Sequence, residues 1–229
     1  MSAQRDLTYY MLGRMPYREA WTLQRQLVER RKNQQIGDTL LLLEHEPVVT
    51  LGRDGSRVSL KKTQNEMMQH GIDLVESDRG GDATYHGPGQ VVGYIIVDLR
   101  PDQKDIRKYV RNVESAMIET LEQYGLEGHR IEDAPGTWLL DPPRKIGAIG
   151  ARVSRWVTHH GFAFNVNTRL EHFEVIVPCG ISDKGVTSLE HELKRRLSMV
   201  EVMQRLAHNV AKYLDRVPRS GHIAALSME

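Results

Sequence analysis

"RGGDATYHGPGQVVGYIIVDL" runs from Arg79 to Leu99, and its two halves ask for opposite things. The first half is bare backbone, with most of the stretch's five glycines, one proline, one arginine and one histidine. The second, "VVGYIIVDL" (Val91–Leu99), is a near-continuous apolar run, as in a strand buried on both faces. A phosphate-cradling P-loop requires G-x-x-x-x-G-K-[ST], and the lysine is missing here. A dinucleotide loop requires G-x-G-x-x-G leading into a helix, whereas this stretch leads into a strand, so both phosphate readings are weak. Two readings remain: a hairpin turn, or a wall on which a ligand lies directly against Cβ-free backbone. In the second, Arg79 and His86 supply polar contacts at the two ends.

Outward from this strand the pattern alternates. "DLTYYML" (Asp6–Leu12) is rich in strand formers. Tyr17–Lys32 has helical spacing, with Tyr17, Ala20, Trp21, Gln24, Leu27 and Val28 on one face. Asp38–Arg53 predicts a buried strand, a break at Pro47 and a second short strand. Leu60–His70 predicts a short helix closed by Gly71. The clearest helix is Ile106–Tyr124, with Asp105 as cap, Gly125 as stop and a stripe of Ile106, Tyr109, Val110, Val113, Met117, Leu121 and Tyr124. His129–Asn167 is strand-rich, with a turn at Asp141-Pro142-Pro143. Ser198 and Glu201 have capping-box spacing and open a last helix with Val200, Met203, Leu206, Val210 and Leu214 inward. These elements predict one α/β (α+β) domain over residues 1–217, a mixed sheet flanked by helices, and a disordered tail over 218–229.

Composition narrows the function classes. The 229 residues carry a net charge of +1, with 40% hydrophobic and 27% charged residues. That is ordinary for a globular chain and gives no whole-protein field to grip nucleic acid. No run of about 18 apolar residues is present for a membrane span, and the N-terminus lacks the apolar core of a signal peptide. The single cysteine, Cys179, rules out an internal disulfide and four-cysteine zinc sites. A reducing cytoplasm is the expected compartment.

Cys179 sits in "VIVPCGISDKG", after an apolar strand and between Pro178 and Gly180. A lone cysteine is ordinarily a small buried hydrophobe. At a strand end with a glycine beside it, it is also a candidate nucleophile, provided a nearby cation favours the thiolate. His86, His159 and His160 are candidate partners. So is Lys145, which opens the Gly/Ala-rich strand "KIGAIGA"; beside a thiol and an apolar pocket, a lysine acts as base and then acid. Spacing does not choose between lysine and histidine. The adjacent His159 and His160 have no partner at metal-ligand spacing, so no metal is expected. Arg130, Arg144, Lys145, Arg152 and Arg155 are candidates for a basic rim that meets an acidic partner.

In order and spacing, "EHEPVVTLGR" (Glu44–Arg53), "RGGDATYHGPGQVVGY", "KIGAIGARV", "HHGFAFNV" and "PCGISDKGVTSL" resemble the lipoyl(octanoyl) transferase family. The resemblance spans Leu40–Leu189. It implies the α/β fold of biotin– and lipoate–protein ligase catalytic domains. It also implies an enzyme that moves an octanoyl (or lipoyl) group from acyl carrier protein to a lysine of a lipoyl domain, through a cysteine thioester. The acceptors it implies are lipoyl domains of 2-oxoacid dehydrogenases and the glycine cleavage H protein, with no cofactor. The family's Cys/Lys dyad falls on Cys179 and Lys145. Its substrate-binding segments fall on Arg79, Gly80, Gly81, Asp82, Ala83, Thr84, Tyr85 and His86, on Ala148, Ile149 and Gly150, and on Gly161, Phe162 and Ala163. Gly147 stands where many members carry Ala, Phe162 and Phe164 where Leu is common, and "APGTWLLDPPRK" replaces a shorter stretch; these departures bear on the shape of the acyl pocket. Three rivals use the same residues differently: an ATP-dependent ligase without a nucleophilic thiol, a silent acyl-binding module, and a cysteine hydrolase with a histidine base.

Overall fold

The computed structural model describes residues 5–55, 57–102, 104–176 and 185–226. Cys179 lies outside the described residues. In chain order the elements are β1 (Arg5–Met15), α1 (Tyr17–Lys32), β2 (Asp38–His45), β3 (Val48–Leu51), α2 (Gln64–Gln69), β4 (Asp73–Glu76), β5 (Ala83–His86), β6 (Gln90–Ile96), α3 (Ile106–Glu122) and β7 (His129–Ile131). They continue with β8 (Ala134–Leu139), β9 (Arg144–Ile149), β10 (Arg152–Ser154), β11 (Val157–His159), β12 (Gly161–Asn165), β13 (Gly185–Val186), α4 (Leu189–Leu193), α5 (Met199–Tyr213) and β14 (Arg216–Ser220).

Helix α1 has the expected bounds. Glu19 in its first turn and Arg30, Arg31 and Lys32 in its last complement the helix dipole. Its buried face is Tyr17, Ala20, Gln24, Leu27, Val28 and Arg31, at spacings of three and four. The two polar members have partners: Gln24 Oε1 accepts from the His160 backbone N–H at 2.6 Å, and Arg31 Nε donates to Asp38 Oδ1 at 2.8 Å. Trp21 is only half-buried, its indole N–H donating to Asp78 Oδ1 at 3.2 Å.

The other helices differ from the pattern mainly at their starts. Helix α2 begins four residues later than expected, because a full Thr63/Glu66 capping box sets its first turn. Asp105 caps α3 by accepting from the Lys108 N–H at 3.0 Å, and Gly125 follows at φ +77°. Tyr109, Val113, Met117 and Leu121 are buried, but Ile106 is 47% exposed. Ser198 caps α5, and Met203, Leu206, Val210 and Leu214 are buried while Val200 is 56% exposed. Both exceptions lie in first turns, and Ile106 opens on a cleft described below.

Among the described residues, the main sheet has nine strands in the order β14-β1-β2-β6-β12-β9-β8-β7, with β13 beside β9. It is mixed: β1 runs parallel to β14 and β2, β13 runs parallel to β9, and the pairs through β6, β12, β9 and β8 are antiparallel. One face packs on α3 and α5, burying Val91, Ile95, Met117, Phe164 and Leu206 among others. The opposite face packs on α1 through Leu41, Leu43, Val92, Tyr94, Ile96 and Ala163. Alternation along β6 accounts for both sets. A smaller sheet, β4-β3-β5, carries a satellite core with Met67, Tyr85 and Phe173. The β10–β11 hairpin turns at Arg155 and Trp156, both at positive φ, in the conformation that Asn-Gly usually supplies.

The C-terminus differs from the expected tail. Pro218 sits in β14 opposite Leu7 of β1, and Leu226 is buried beyond it. Proline is tolerated because β14 is an edge strand. At the foot of β14, Arg216 Nε donates to the buried Asp38 at 2.7 Å, on the carboxylate that Arg31 also holds. No helix among the described residues is long and apolar enough to cross a membrane.

Candidate active site

The Gly-rich stretch folds over the edge of the small sheet. Arg79 is buried and donates four hydrogen bonds: to Thr50 Oγ1 (2.9 Å), Thr50 O (2.6 Å), Gly80 O (3.0 Å) and Asp82 O (2.5 Å). Its guanidinium therefore braces the loop against β3. Gly52 has no room for a side chain, since a Cβ there would sit 2.1 Å from Gly81 O. Strand β5 pairs with β3 and alternates. Thr84 and His86 face a cavity. Ala83 and Tyr85 face the satellite core, where the Tyr85 hydroxyl lies 2.7 Å from His172 Nδ1.

That cavity gathers residues far apart in sequence. Arg79, Gly81, Asp82, Thr84 and His86 line one side, and Ala148, Ile149, Gly150, Gly161, Phe162 and Ala163 line another. Of the residues the resemblance singled out, Gly80 lines the adjoining cleft instead. Tyr17, Val92, Tyr94 and His160 complete the wall; these four the sequence reading missed as pocket residues. On the α1 face of the sheet, Val92, Ala163 and Ala148 are direct cross-strand partners on β6, β12 and β9. They form a row of small apolar side chains across three strands.

The cavity shares Gly81, Asp82, Ala148, Ile149 and Gly150 with the larger cleft, whose wall also holds Lys145, Ile106 and Val110. Lys145 Nζ lies 4.6 Å from the Trp138 ring centroid and donates to Pro135 O at 3.2 Å. Beside it the chain re-enters the sheet as β13, with Val186 opposite Lys145 and the Thr187 N–H donating to Lys145 O at 2.9 Å. A clamp fixes this edge: Arg144 donates to both Glu192 carboxylate oxygens at 2.7 and 2.8 Å, and Thr187 Oγ1 donates to Glu192 at 2.5 Å. The Arg144 hydrogen bonds, with that of Thr187, hold the Glu192 carboxyl down at about 2.

Three imidazoles lie around the inner end, and their partners fix their tautomers. Gln90 Nε2 donates to Tyr85 O and Asn165 Oδ1, so Gln90 Oε1 accepts from His86 Nδ1 at 2.7 Å. His86 Nε2 is left with a lone pair. His45 Nδ1 donates to Met15 O, so its Nε2 accepts from the Tyr94 hydroxyl at 2.7 Å. His160 Nε2 donates to Asp78 Oδ1 at 2.8 Å, and its buried Nδ1 has no partner. Burial holds all three rings down from the ordinary value, His45 to about 4 and His86 well below the usual range.

Asp78 also gives His159 and His160 the neighbour that local spacing did not show. One ligating atom from each of the three lies within 4.8 Å of the others, the one such group among the described residues. Asp78 is already engaged, however, by His160, by Trp21 and by a very short contact from Arg152. These hydrogen bonds account for the carboxylate without an ion.

The expected basic rim is largely neutralised. Arg130 pairs with Glu114, Arg144 with Glu192, Arg152 with Asp78 and Arg155 with Glu29. Two departures from the family pattern also fall away from the cavity. A Cβ on Gly147 would meet Met117 Sδ at 2.7 Å on the α3 side, and Phe164 is buried in the core beneath α3 and α5. Phe162 is on the cavity wall, but its ring packs over Gly93 in the same core as Phe164.

The same architecture occurs in a structure from an archaeal lipoylation system, that of a bipartite lipoate protein ligase and its E2 lipoyl domain from Thermoplasma acidophilum. The match has a TM-score of 0.74 at 17% identity, over 95% of this chain and 87% of that one. Biotin protein ligase from Aquifex aeolicus, in complex with biotin and ATP, matches at a TM-score of 0.54 and 13% identity, over 91% and 70%. The fold is thus that of the lipoate– and biotin–protein ligase catalytic domains. Residues 16–211 match the lipoyl protein ligase A/B catalytic domain, and the chain belongs to that family. An octanoyltransferase from Chloroflexus aggregans is 46% identical over 215 residues, covering 93% of this chain and 97% of that protein. One from Myxococcus xanthus is 45% identical over 213 residues; the match takes in 91% of this chain and 60% of that longer protein.

Proposed function

We propose that this chain transfers an octanoyl group from acyl carrier protein to a lysine of a lipoyl domain, by way of a thioester on Cys179. Octanoyl transfer in protein lipoylation follows from its family and fold. The donor, the covalent step and the residue roles rest on one observation above the others. Lys145 stands at the mouth of a cavity floored by glycine and small apolar residues, on the strand beside which the chain returns at Gly185 and Val186. Cys179 is six positions before that return in sequence.

In the first half-reaction the Lys145 amine takes the Cys179 thiol proton. The thiolate adds to the carbonyl carbon of the donor thioester, and the carrier's thiolate leaves, taking a proton from Lys145. One thioester replaces another, so the step is close to isoenergetic and needs no ATP. In the second, the acceptor lysine amine adds to the acyl carbon, its proton passes to Lys145, and Cys179 departs as thiolate, leaving an amide. The cavity suits a saturated chain, which offers area but few polar handles.

Intact-protein mass spectrometry after incubation with octanoyl-acyl carrier protein tests this. Wild type gains one octanoyl mass, and Cys179→Ala gains none. Lys145→Ala forms the adduct at least about a hundredfold more slowly. ATP-dependent transfer from free octanoate that persists in Cys179→Ala establishes the ligase chemistry instead.

A further inference from the structure

The inner end of the acyl cavity is not apolar. Its walls include His86, His160, Tyr17 and Tyr94, all buried or nearly so. The Tyr94 hydroxyl is committed to His45, and the Tyr17 hydroxyl lies 2.7 Å from Ser77 Oγ. The imidazoles are different. His86 gives its one N–H to Gln90 and His160 its one N–H to Asp78. His160 Nδ1 is a fully buried acceptor with no partner, His86 Nε2 has no donor among the described hydrogen bonds, and both side chains are more than nine-tenths buried. A buried acceptor without a donor is costly, so this end of the cavity calls for a hydrogen-bond donor.

Length places an acyl chain's far end there. From Ala148 on β9 to Val92 on β6 is two strand spacings, about 10 Å. An extended eight-carbon chain with ordinary C–C bonds spans roughly 9 Å. A chain whose carbonyl sits beside Ala148, where the cavity opens on the cleft that holds Lys145, and which follows the Ala148–Ala163–Val92 row ends beside Val92 and Tyr94, on the wall that His86 shares. A terminal methyl satisfies neither nitrogen.

Resting on the octanoyl-transfer reading, we propose that the cavity also takes medium-chain acyl groups carrying a hydroxyl at the ω carbon, and that His86 Nε2 accepts its hydrogen bond. The substrate class is then ω-hydroxyacyl thioesters as well as plain saturated ones. His86 sets this tolerance, and the Gln90–Asn165–Thr187 chain holds its tautomer: Gln90 donates to Asn165 Oδ1, and Asn165 Nδ2 donates to Thr187 O at 2.9 Å.

The test compares kcat/KM for 8-hydroxyoctanoyl- and octanoyl-acyl carrier protein. An apolar cavity end would disfavour the hydroxyl by about a hundredfold. The expected wild-type result is turnover of the two substrates within about threefold of each other. His86→Phe should lower the hydroxy-to-plain ratio about tenfold or more, and His86→Gln, which keeps an acceptor, should restore most of it. Good octanoyl turnover with a hydroxyoctanoyl rate about thirtyfold lower or worse overturns this inference and leaves the proposed function standing; this wild-type comparison decides even where a variant fails to fold. A ratio that ignores His86→Phe overturns it too. Failure of both substrates removes the transfer reading and this inference together.

Discussion

The clamp beside Lys145 predicts how stability at the edge of the site depends on pH. Glu192 takes two hydrogen bonds from Arg144 and one from Thr187, and its side chain is 13% exposed. Its carboxyl is held at about 2, against an ordinary value of 4.5. At full strength that difference corresponds to about 3 kcal/mol of folded-state stabilisation. The pair sits at the rim of the fold, so solvent screening reduces this to about 2 kcal/mol. A carboxyl depressed on folding contributes above its unfolded value near 4.5 and loses that contribution as pH falls through the folded value near 2. Glu192→Gln keeps the shape and removes the charge. Urea unfolding should place it about 2 kcal/mol below wild type at pH 7, and by pH 3.5 about half of that gap should have closed. Because the clamp sets the register of Val186 against Lys145, the acyl-adduct rate at pH 7 should fall with it. A gap below about 0.5 kcal/mol at pH 7, or one that keeps its full size at pH 3.5, refutes the reasoning.

Two further outcomes follow from buried groups. Arg79→Lys replaces a planar fork that makes four hydrogen bonds with a point charge, and should cost about 2–4 kcal/mol in urea unfolding together with most of the transfer activity; a loss under about 0.5 kcal/mol would show that the loop does not depend on it. His45 is held neutral down to about 4 by burial, so the stability it contributes is complete above 6.5 and is lost as pH falls toward 4, by up to about 3 kcal/mol. His45→Gln keeps polar partners without titrating, and its unfolding free energy should be flatter across that window than that of wild type.

The sequence exposed what local chemistry controls. Asp105, Ser198 and Gly125 announce helix ends because caps and left-handed stops are single-residue decisions. The Val91–Leu99 run announces β6 at the centre of the sheet because burial on both faces favours apolar side chains, though the strand itself is Gln90–Ile96 and ends before the buried Asp98. β14 stayed hidden because "RVPRS" has neither apolar alternation nor a full set of donors; its partner β1 and the Asp38 pairing decide it. The site shows the same divide. Glycines and a histidine near a strand suggested one wall. Tyr17 and Tyr94 carry no local mark of the cavity, since a helix start and a buried strand each explain them separately. Ala83 and Tyr85 sit within a motif that reads as one continuous wall, yet the period of β5 turns them to the other side.

Asp38 and β14 also bear on how the molecule comes to be made. The carboxylate near the start of the chain is held by Arg31 and by Arg216, and β1 gains its outer neighbour only from residues 216–220. During synthesis β1 therefore waits as an open edge, and Asp38 without its Arg216 partner, until residue 220 has left the ribosome. A premature stop around residue 214 would leave almost every element of the acyl cavity encoded and its outermost strand unprotected. The expected product is an aggregating chain rather than a weakly active enzyme.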